Sequence, residues 1–475
     1  QNRRGNEMTV RNSVHGFGSS EGPLHGGWKA GLGVVCSFVL VLALVAAQVF
    51  APAGNGATAA ASAPVRTISI DFQAGSSSFV VIAGSRHVAG TFPKGFLPVA
   101  DANGVAVPLR SFFEAAGGTV RFEKAQNTVY FALGPMTGAY EFRNATLVNQ
   151  KFTASTRRDL LHRSGKAQTL YVTYDILKSI VADAGGSASC TTTAKRSLIT
   201  LRVPAALKDC LGFQHDTFPA RAGKMRLVTL EPNLAEDCFA IGQGKNIIAV
   251  ADSTDYPKEA TKIPSIGAFN SPSLEKLLAL SPDLILVTDG TPMAVVNQLK
   301  KLGRPVYADD PKTILQTADA IRELGIVLGV PDRGFETALS MRETVAGIVG
   351  TAHSLPRSPS VYVEIWNSPL TSAGKGTYVS DIITTAGGHN IGDETDSEWP
   401  VLSEEFVIKH NPDIIIVGSG MGVSDVTGRA SFAGITAVKD GHVYEINGDY
   451  IYRACPRMIR GLEQIADIIR HAVRP

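Results

Sequence analysis

Two segments of this chain, 130 residues apart, carry the same order of helix cap, short helix and buried strand. Residues 273–287 read SLEKLLALSPDLILV, and residues 403–417 read SEEFVIKHNPDIIIV, without a gap between them. In each copy a Ser opens a short helical run, Pro-Asp ends it, and a wholly apolar strand follows. Strands that are apolar on both faces are typical of a parallel sheet covered by helices. The repeat therefore predicts two similar α/β lobes.

One long helix is predicted between the two copies. Residues 331–353 (PDRGFETALSMRETVAGIVGTAH) keep apolar side chains at helical spacing. A helix of about 23 residues would form a rod of roughly 35 Å. The sequence thus predicts lobe 1 over about 224–330, a backbone helix over about 331–353 and lobe 2 over about 359–475. A single helix between two lobes is a stiffer connection than flexible strand hinges would be.

Near the N-terminus, residues 31–52 (GLGVVCSFVLVLALVAAQVFAP) contain no charged residue and are long enough to span a bilayer as a helix. Positive residues before this segment favour a cytoplasmic N-terminus. Two alternatives remain open: an uncleaved anchor, or a signal peptide cut in the small-residue tract before Ser62. We assign residues 1–64 to a cytoplasmic tail, this signal peptide or transmembrane anchor, and a linker. Both alternatives predict an extracytoplasmic protein, membrane-anchored or secreted.

Residues 65–206 contain a second repeat, with the order short strand, helix ending in Ala-Gly-Gly, and two strands. The Ala-Gly-Gly of residues 116–118 recurs at residues 184–186. Glycine just past a helix readily adopts the left-handed conformation that ends it. This part, best in VPLRSFFEAAGGTVRFEKAQNTVYF, resembles the copper amine oxidase N-terminal-like domain of Gram-positive surface proteins. The resemblance implies an α+β accessory or spacer module, and residues 207–223 are predicted as a linker.

Composition and cysteine content restrict the functional class. Hydrophobic residues make up 44% and charged residues 19%, which excludes a disordered chain. The formal charge of +2 provides no basic excess for a nucleic-acid partner. Five Cys are too few for a disulfide scaffold. Cys190 and Cys210 flank a strand-like run, and either a disulfide between them or two buried thiols fits an oxidising exterior. Cys238 is predicted to be a core residue.

No motif for catalysis or for a bound cofactor is present. GKGT (374–377) lacks the spacing of a P-loop, and GSGMGV (418–423) has Val423 where a dinucleotide fingerprint needs Gly. The His residues, including His87 and His162, are scattered and predict no copper, zinc or manganese site. No GxSxG elbow occurs. We therefore predict a protein that is not an enzyme, with no catalytic residue, no metal and no cofactor.

Residues 224–475 resemble the substrate-binding proteins of ABC importers for cobalamin and iron-siderophores. The matching pieces include RLVTLEPNLAEDCFAIGQGKNIIAVADSTDYP, both SxE…PD repeats, EWPVLSEE and GDYIYRACPRMIRGLEQIADII. The resemblance implies an α/β fold of two Rossmann-like lobes joined by one backbone helix. It also implies a monomeric receptor that delivers a corrinoid to ABC importer permease subunits. A ferric siderophore or haem is the alternative ligand, and a cell-surface structural or adhesion protein is the alternative of another class.

The resemblance also assigns residues to a ligand cleft. Aromatic faces suit a large, flat corrin ring. The alternatives are core packing for the aromatic residues and a structural ion pair for the arginine. These motifs show no basic cluster, which disfavours a highly anionic siderophore. The predicted ligand-binding residues are Tyr256, Phe269, Trp366, Trp399, Asp449, Tyr450 and Arg453.

A further pair of residues is assigned to the permease contact. Glu275 and Glu405 occupy the third position of each repeat, where the family carries acidic residues that pair with permease arginines. The alternative is that each Glu only stabilises its helix N-terminus. Cys455 lies inside the RA-PR stretch, and its contact with a ligand is left open.

Overall fold

The computed structural model describes residues 64–73, 76–83, 86–91, 99–101, 104–142, 146–149, 154–155, 163–164, 169–193, 196–217, 224–288, 290–418 and 420–473. The predicted membrane segment at 31–52, the cleavage tract and His162 lie outside these residues. None of the described helices has the length and apolar character that crossing a membrane requires.

The N-terminal module, defined here as the described residues between 64 and 217, is built mainly from antiparallel strands. Its sheets have the orders β13-β14-β1-β2-β3, β10-β9-β8-β7-β6 and β11-β12-β5-β4, with a separate β15-β16 hairpin. Its elements are β1 (Val65–Phe72), β2 (Ser78–Ala83), β3 (Arg86–Thr91), β4 (Val99–Asp101), β5 (Gly104–Pro108), α1 (Leu109–Ala115), β6 (Thr119–Glu123), β7 (Thr128–Leu133), β8 (Met136–Glu141), β9 (Thr146–Asn149), β10 (Ala154–Ser155), β11 (Arg163–Ser164), β12 (Thr169–Thr173), α2 (Tyr174–Asp183), β13 (Ser187–Thr192), β14 (Ser197–Pro204), β15 (Ala206–Lys208) and β16 (Gln214–Asp216).

The repeat within the module is present in three dimensions. Each copy runs strand, helix, two strands, as β5-α1-β6-β7 and as β12-α2-β13-β14. Gly117 (φ 87°) and Gly185 (φ 76°) end the two helices in the left-handed conformation. A Cβ on the next residue, Gly118 or Gly186, would lie 2.2 Å from the backbone oxygen of Ala132 or Arg202. The Gly-Gly pair is therefore needed for the turn and for close approach to the neighbouring strand.

Residues 224–473 form two α/β lobes, as the repeat predicts. Two four-stranded parallel sheets have the equivalent orders β18-β17-β21-β22 and β26-β23-β27-β28. The elements are β17 (Leu227–Thr229), α3 (Pro232–Ala240), β18 (Ile247–Val250), β19 (Gly267–Ala268), β20 (Ser271–Pro272), α4 (Leu274–Leu280), β21 (Leu284–Thr288), α5 (Met293–Lys301), β22 (Val306–Asp309), α6 (Ile314–Val327), α7 (Pro331–Ala352), β23 (Ser360–Glu364), β24 (Trp366–Asn367), β25 (Leu370–Thr371), α8 (Tyr378–Thr385), β26 (His389–Asn390), α9 (Glu404–His410), β27 (Ile414–Val417), α10 (Val423–Thr427), α11 (Thr436–Lys439), β28 (Val443–Glu445) and α12 (Met458–Ala472).

The two copies of the helix–strand repeat match in detail. Helix α4 is capped by the Ser273 hydroxyl and α9 by the Ser403 hydroxyl. Each helix ends at a non-glycine residue in the left-handed conformation, Ser281 (φ 46°) or Asn411 (φ 43°). The Asp of each Pro-Asp then accepts a 2.8 Å hydrogen bond from the backbone amide at the start of the adjacent strand. Local sequence thus determines this unit in both lobes.

The long connecting helix is confirmed as α7, within one residue of its predicted end. It crosses α6 closely, because a Cβ on Gly325 would lie 2.7 Å from the Cα of Gly334. Cys238 is fully buried, as predicted.

Two predictions for residues 190–223 need correction. Part of the predicted linker is folded, since β15 and β16 pair as a hairpin. Of the two alternatives for Cys190 and Cys210, the disulfide is not formed, and the free thiols are not buried either, since Cys190 is partly exposed and Cys210 is exposed. Cys190 lies opposite Ile199 within the β13–β14 pair, whereas Cys210 lies in the turn of the separate hairpin, so the two are on different sheets.

Candidate functional site

The loops that follow the carboxyl ends of the parallel strands bring charged residues of both lobes together. Glu236 lies on α3, directly after β17, and Asp255 lies in the loop after β18. Asp449, Arg453 and Arg457 lie between β28 and α12. Ligands of open α/β sheets bind outside the carboxyl ends of the strands. The structure therefore places these five residues, named here the interlobe cluster, where a ligand site is expected.

Short ion pairs join the two lobes within the interlobe cluster. Arg457 donates to both oxygens of Glu236, over 2.5 and 2.6 Å. Arg453 donates to Glu236 over 3.1 Å and to Asp255 over 2.6 Å. Asp449 lies 3.1 Å from Arg453 and 3.7 Å from Arg457. The Glu236 side chain is only 2% exposed, so its charge is held by the two arginines and not by water.

Two predicted ligand-binding tyrosines lie against the arginine side of the cluster. The Arg457 guanidinium is 3.9 Å from the ring centre of Tyr256 and 5.6 Å from that of Tyr450. Arg460 lies 5.9 Å from the Tyr450 ring. Tyr256 is 39% exposed, so much of its ring remains accessible. Cation–π stacking holds these rings beside the cluster and leaves Tyr256 available for a ligand.

The pKa values of the cluster carboxylates move in opposite directions. Burial acts to raise the pKa of Asp255, but hydrogen bonds and charge from Arg453 lower it overall. Burial raises the pKa of Asp449, and its two arginines only partly oppose this. Asp255 is thus stabilised as an anion, while Asp449 is the carboxylate that more readily takes up a proton.

Two further titratable groups are buried behind the cluster. Cys455 is fully buried and donates through its Sγ to Glu236 over 3.2 Å. Burial and the Glu236 charge raise its pKa well above the usual range, so it remains a thiol. Asp237 is 1% exposed, and its Oδ1 has no hydrogen-bond partner among the described residues. Burial, Asp309 and Glu236 raise the pKa of Asp237.

The remaining predicted cleft aromatics lie in different environments. Trp399 is half-buried and packs edge-on against Tyr378, with ring centres 6.2 Å apart. Trp366 is half-buried, and its Nε1 donates to the Ser368 carbonyl within its own hairpin. Phe269 is only 7% exposed, which favours the core-packing alternative for this residue. Among the three, Phe269 offers the least ring surface to a ligand.

Glu275 and Glu405 are both exposed in the first turn of equivalent helices. The backbone amide of Glu405 and the Ser403 hydroxyl lower the pKa of Glu405, so its carboxylate is favoured as an anion. A helix that precedes a parallel strand runs antiparallel to that strand, so α4 and α9 begin at the carboxyl edge of their sheets. Glu275 and Glu405 therefore lie at equivalent positions, each at the carboxyl edge of the sheet in its own lobe.

Sequence analysis missed three of the five residues of the interlobe cluster, Glu236, Asp255 and Arg457. Neither Glu236 nor Arg457 was singled out, although a Glu-Asp pair inside an otherwise apolar helix is an unusual pattern. The expectation of no basic cluster is wrong, because Arg453, Arg457 and Arg460 come together. Three carboxylates balance these three arginines, so the site as a whole carries no large excess charge. Within the described part of the chain, no group of three or more His, Cys, Asp or Glu is arranged to hold a metal ion.

Comparisons with known proteins agree with this architecture. A family model described as Periplasmic binding protein matches residues 227–450. The vitamin B12-binding protein of Yersinia pestis (strain Pestoides F) is 30% identical over 251 residues, which cover 52% of this chain and 87% of the relative. The uncharacterized ABC transporter substrate-binding lipoprotein YvrC of Bacillus subtilis (strain 168) is 28% identical, over 51% of this chain and 79% of the relative.

One solved structure that is similar to this chain is that of the periplasmic vitamin B12-binding protein BtuF of Vibrio cholerae, whose sequence is 25% identical. Its TM-score is 0.49, and the match covers 54% of this chain and 100% of that one. Through residues 227–450, this chain belongs to the periplasmic binding protein family.

Proposed function

We propose that this protein is an extracytoplasmic substrate-binding receptor that captures cobalamin or a related corrinoid and delivers it to an ABC importer. It performs no chemistry itself. The relative from Yersinia pestis is a vitamin B12-binding protein, and the relative from Bacillus subtilis is a substrate-binding lipoprotein of an ABC transporter. Both functions support the same class of role for this chain.

The observation that carries the proposal is the combination of aromatic faces and balanced charges where the two lobes meet. Tyr256 and Tyr450 lie beside the interlobe cluster, and Trp399 offers a half-buried ring in lobe 2. A corrinoid has apolar ring edges and amide arms, which suit aromatic rings surrounded by hydrogen-bonding side chains. In this proposal Tyr256, Trp399, Tyr450, Asp449 and Arg453 contact the ligand. Trp366 contributes from the rim, whereas Phe269 supports the site from within lobe 1.

Ferric siderophore or haem capture is the second candidate. Arg457 and Arg460, which lie beside Tyr450, favour this candidate more than the sequence alone does, because anionic ligands need positive partners. The charges of Arg453 and Arg457 are offset by carboxylates within the cluster, so an anionic ligand that bound these two arginines would first have to displace carboxylates such as Asp255. A neutral or weakly charged corrinoid can bind without displacing these carboxylates, so its binding avoids that loss of free energy.

Calorimetric titration of the purified protein distinguishes these ligands. We expect sub-micromolar binding of cyanocobalamin and cobinamide, and none of a ferric hydroxamate siderophore or haem. Trp399→Ala should raise the corrinoid Kd about tenfold, equivalent to about 1.4 kcal/mol. Phe122→Ala, which removes an exposed aromatic ring from the N-terminal module, is the matched control and should leave Kd unchanged.

The possible results separate the candidates. Binding of haem or the siderophore alone would refute the corrinoid assignment and keep the receptor role. A folded protein that binds none of the four would instead favour the cell-surface structural alternative.

The cellular arrangement is part of the same proposal. Residues after about 64 lie outside the cytoplasm, held at the membrane by an uncleaved N-terminal helix or released by cleavage. Glu275 and Glu405 contact arginines on the two permease subunits, one from each lobe. Their equivalent positions on two similar lobes suit a pair of membrane subunits related by two-fold symmetry. The N-terminal module, with its proposed likeness to the copper amine oxidase N-terminal-like domain, is an accessory part of the receptor.

A further inference from the structure

The first half of the connecting helix α7 is paired with the N-terminal module through partly buried ion pairs. Arg121, on β6, donates to Asp332 over 2.8 Å and to Glu336 over 2.6 Å. Its side chain is 21% exposed, and those of the two acids are 13% and 18% exposed. Pairs that are this sheltered are weakened less by salt than surface pairs are.

Apolar packing continues the same contact along the helix. Phe335 is fully buried and Leu339 is 6% exposed, in one cluster with Tyr130, Ala139 and Val148 of the module. The Tyr130 and Phe335 rings meet edge to face, with centres 6.5 Å apart. Asp332, Phe335, Glu336 and Leu339 follow the spacing i, i+3, i+4, i+7, so they form one face of α7.

The opposite side of this end of the helix is held by lobe 1. Helices α6 and α7 cross where Gly325 and Gly334 face each other, and a Cβ on Gly325 would lie 2.7 Å from the Gly334 Cα. Almost no lateral movement is available at such a crossing without backbone clashes. The first half of α7 is therefore fixed by the module on one side and by α6 on the other.

A second attachment joins the module to lobe 1 at a different place. The Asp209 carboxylate, fully buried in the turn of the β15–β16 hairpin, accepts a 2.9 Å hydrogen bond from the backbone amide of Ala308 on β22. The same carboxylate accepts from two amides of its own turn and pairs with His215 over 2.9 Å. His215 in turn packs edge-on against Tyr307 of β22.

We propose that the Asp332–Phe335–Glu336–Leu339 face of α7 is a docking surface for the N-terminal module of the same chain, and that the docked module braces the connecting helix. Two attachments at separate places prevent the module from pivoting on lobe 1. The module, lobe 1 and the first half of α7 then move as one body. Movement between the lobes is confined to the second half of α7 and to lobe 2.

Hydrogen exchange on the intact protein, without ligand, tests this proposal independently of the proposed function. Arg121→Glu places a like charge against Asp332 and Glu336. We expect exchange of the backbone amides over residues 335–345 to accelerate about tenfold or more. Arg110→Glu is the matched control, because Arg110 also lies in the module and, among the residues that the structure describes, pairs with the exposed Glu114 on its own helix. It should leave these amides unchanged.

A milder variant keeps the test decisive if Arg121→Glu disturbs the module itself. Glu336→Gln removes the 2.6 Å ion pair with Arg121, and with it a longer 3.5 Å pair with Arg333 on the exposed side of α7, without altering a module residue. It should accelerate the same amides about threefold, while those of β7 and β8 stay protected. Unchanged exchange over residues 335–345 in both variants would refute the brace. An equal acceleration in Arg110→Glu would refute it too, because that effect would not arise from the docking surface.

Discussion

Replacing Glu236 with Gln is expected to loosen the contact between the two lobes. The carboxylate of Glu236 is the only group of lobe 1 that hydrogen-bonds both Arg453 and Arg457 among the described residues. Glutamine keeps the size of the side chain but loses the charge. Its amide nitrogen is a donor and would face the guanidinium donors.

The size of the effect follows from the burial of the group. Breaking a buried ion pair costs about 3–5 kcal/mol, because the partner charge is left without compensation. Here Arg453 keeps Asp255 over 2.6 Å and Arg457 keeps Asp449 over 3.7 Å. We therefore expect the lower value, about 3 kcal/mol. For an unfolding unit of about 250 residues, the size of the two-lobed part, each kcal/mol corresponds to about 2 °C in Tm, so Tm should fall by about 6 °C.

Differential scanning calorimetry at neutral pH measures this change. Glu114→Gln is the matched control, since Glu114 pairs with Arg110 on the exposed surface and should contribute less than about 1 kcal/mol. If Glu236→Gln lowered Tm no more than Glu114→Gln, the charge of Glu236 would not stabilise the contact between the lobes.

Three further predictions concern docking, pH and backbone packing. Glu275→Arg combined with Glu405→Arg should abolish transport in cells and leave the ligand Kd of the purified protein unchanged; undiminished transport would remove the docking assignment. Because burial and neighbouring acids raise the pKa of Asp237, the folded state keeps a proton that the unfolded chain releases, so this residue lowers stability as pH rises above about 4. The free energy of unfolding of Asp237→Asn, relative to that of the natural protein, should therefore increase with pH by at most about 1.4 kcal/mol per pH unit. Urea titrations at several pH values measure this difference, and a difference that stays constant with pH would contradict the prediction. Gly118→Ala should destabilise the protein by about 2 kcal/mol or more, since its Cβ would meet a backbone oxygen at 2.2 Å. Gly347→Ala, with open space around it in α7, should instead stabilise by up to about 1 kcal/mol, and the two variants are compared by thermal unfolding.

Local signals explain which parts of this fold the sequence predicts. The Ser caps, the Pro-Asp pairs and the wholly apolar strands are each contained within fifteen residues, and all of them appear where expected. The bounds of α7 also follow from local spacing and from its initial Pro.

Contacts between distant residues account for what the sequence did not predict. Glu236 and Arg457 are 221 residues apart, and Arg121 and Asp332 are 211 apart. The local sequence around one residue of such a pair does not indicate which distant residue is its partner. The burial of Phe269 is similar, because an aromatic residue in a loop has the same sequence pattern whether it faces a ligand or the interior.

The Asp209 carboxylate also covers part of a sheet edge. Strand β22 lies at the end of the lobe 1 sheet, and the backbone amide of Ala308 is directed away from β21 to Asp209. An uncovered sheet edge is a template on which strands of other molecules can pair. A protein shortened past residue 217 would expose this edge together with Phe335. We therefore expect the N-terminal module to protect the two-lobed part from self-association as well as to cover α7.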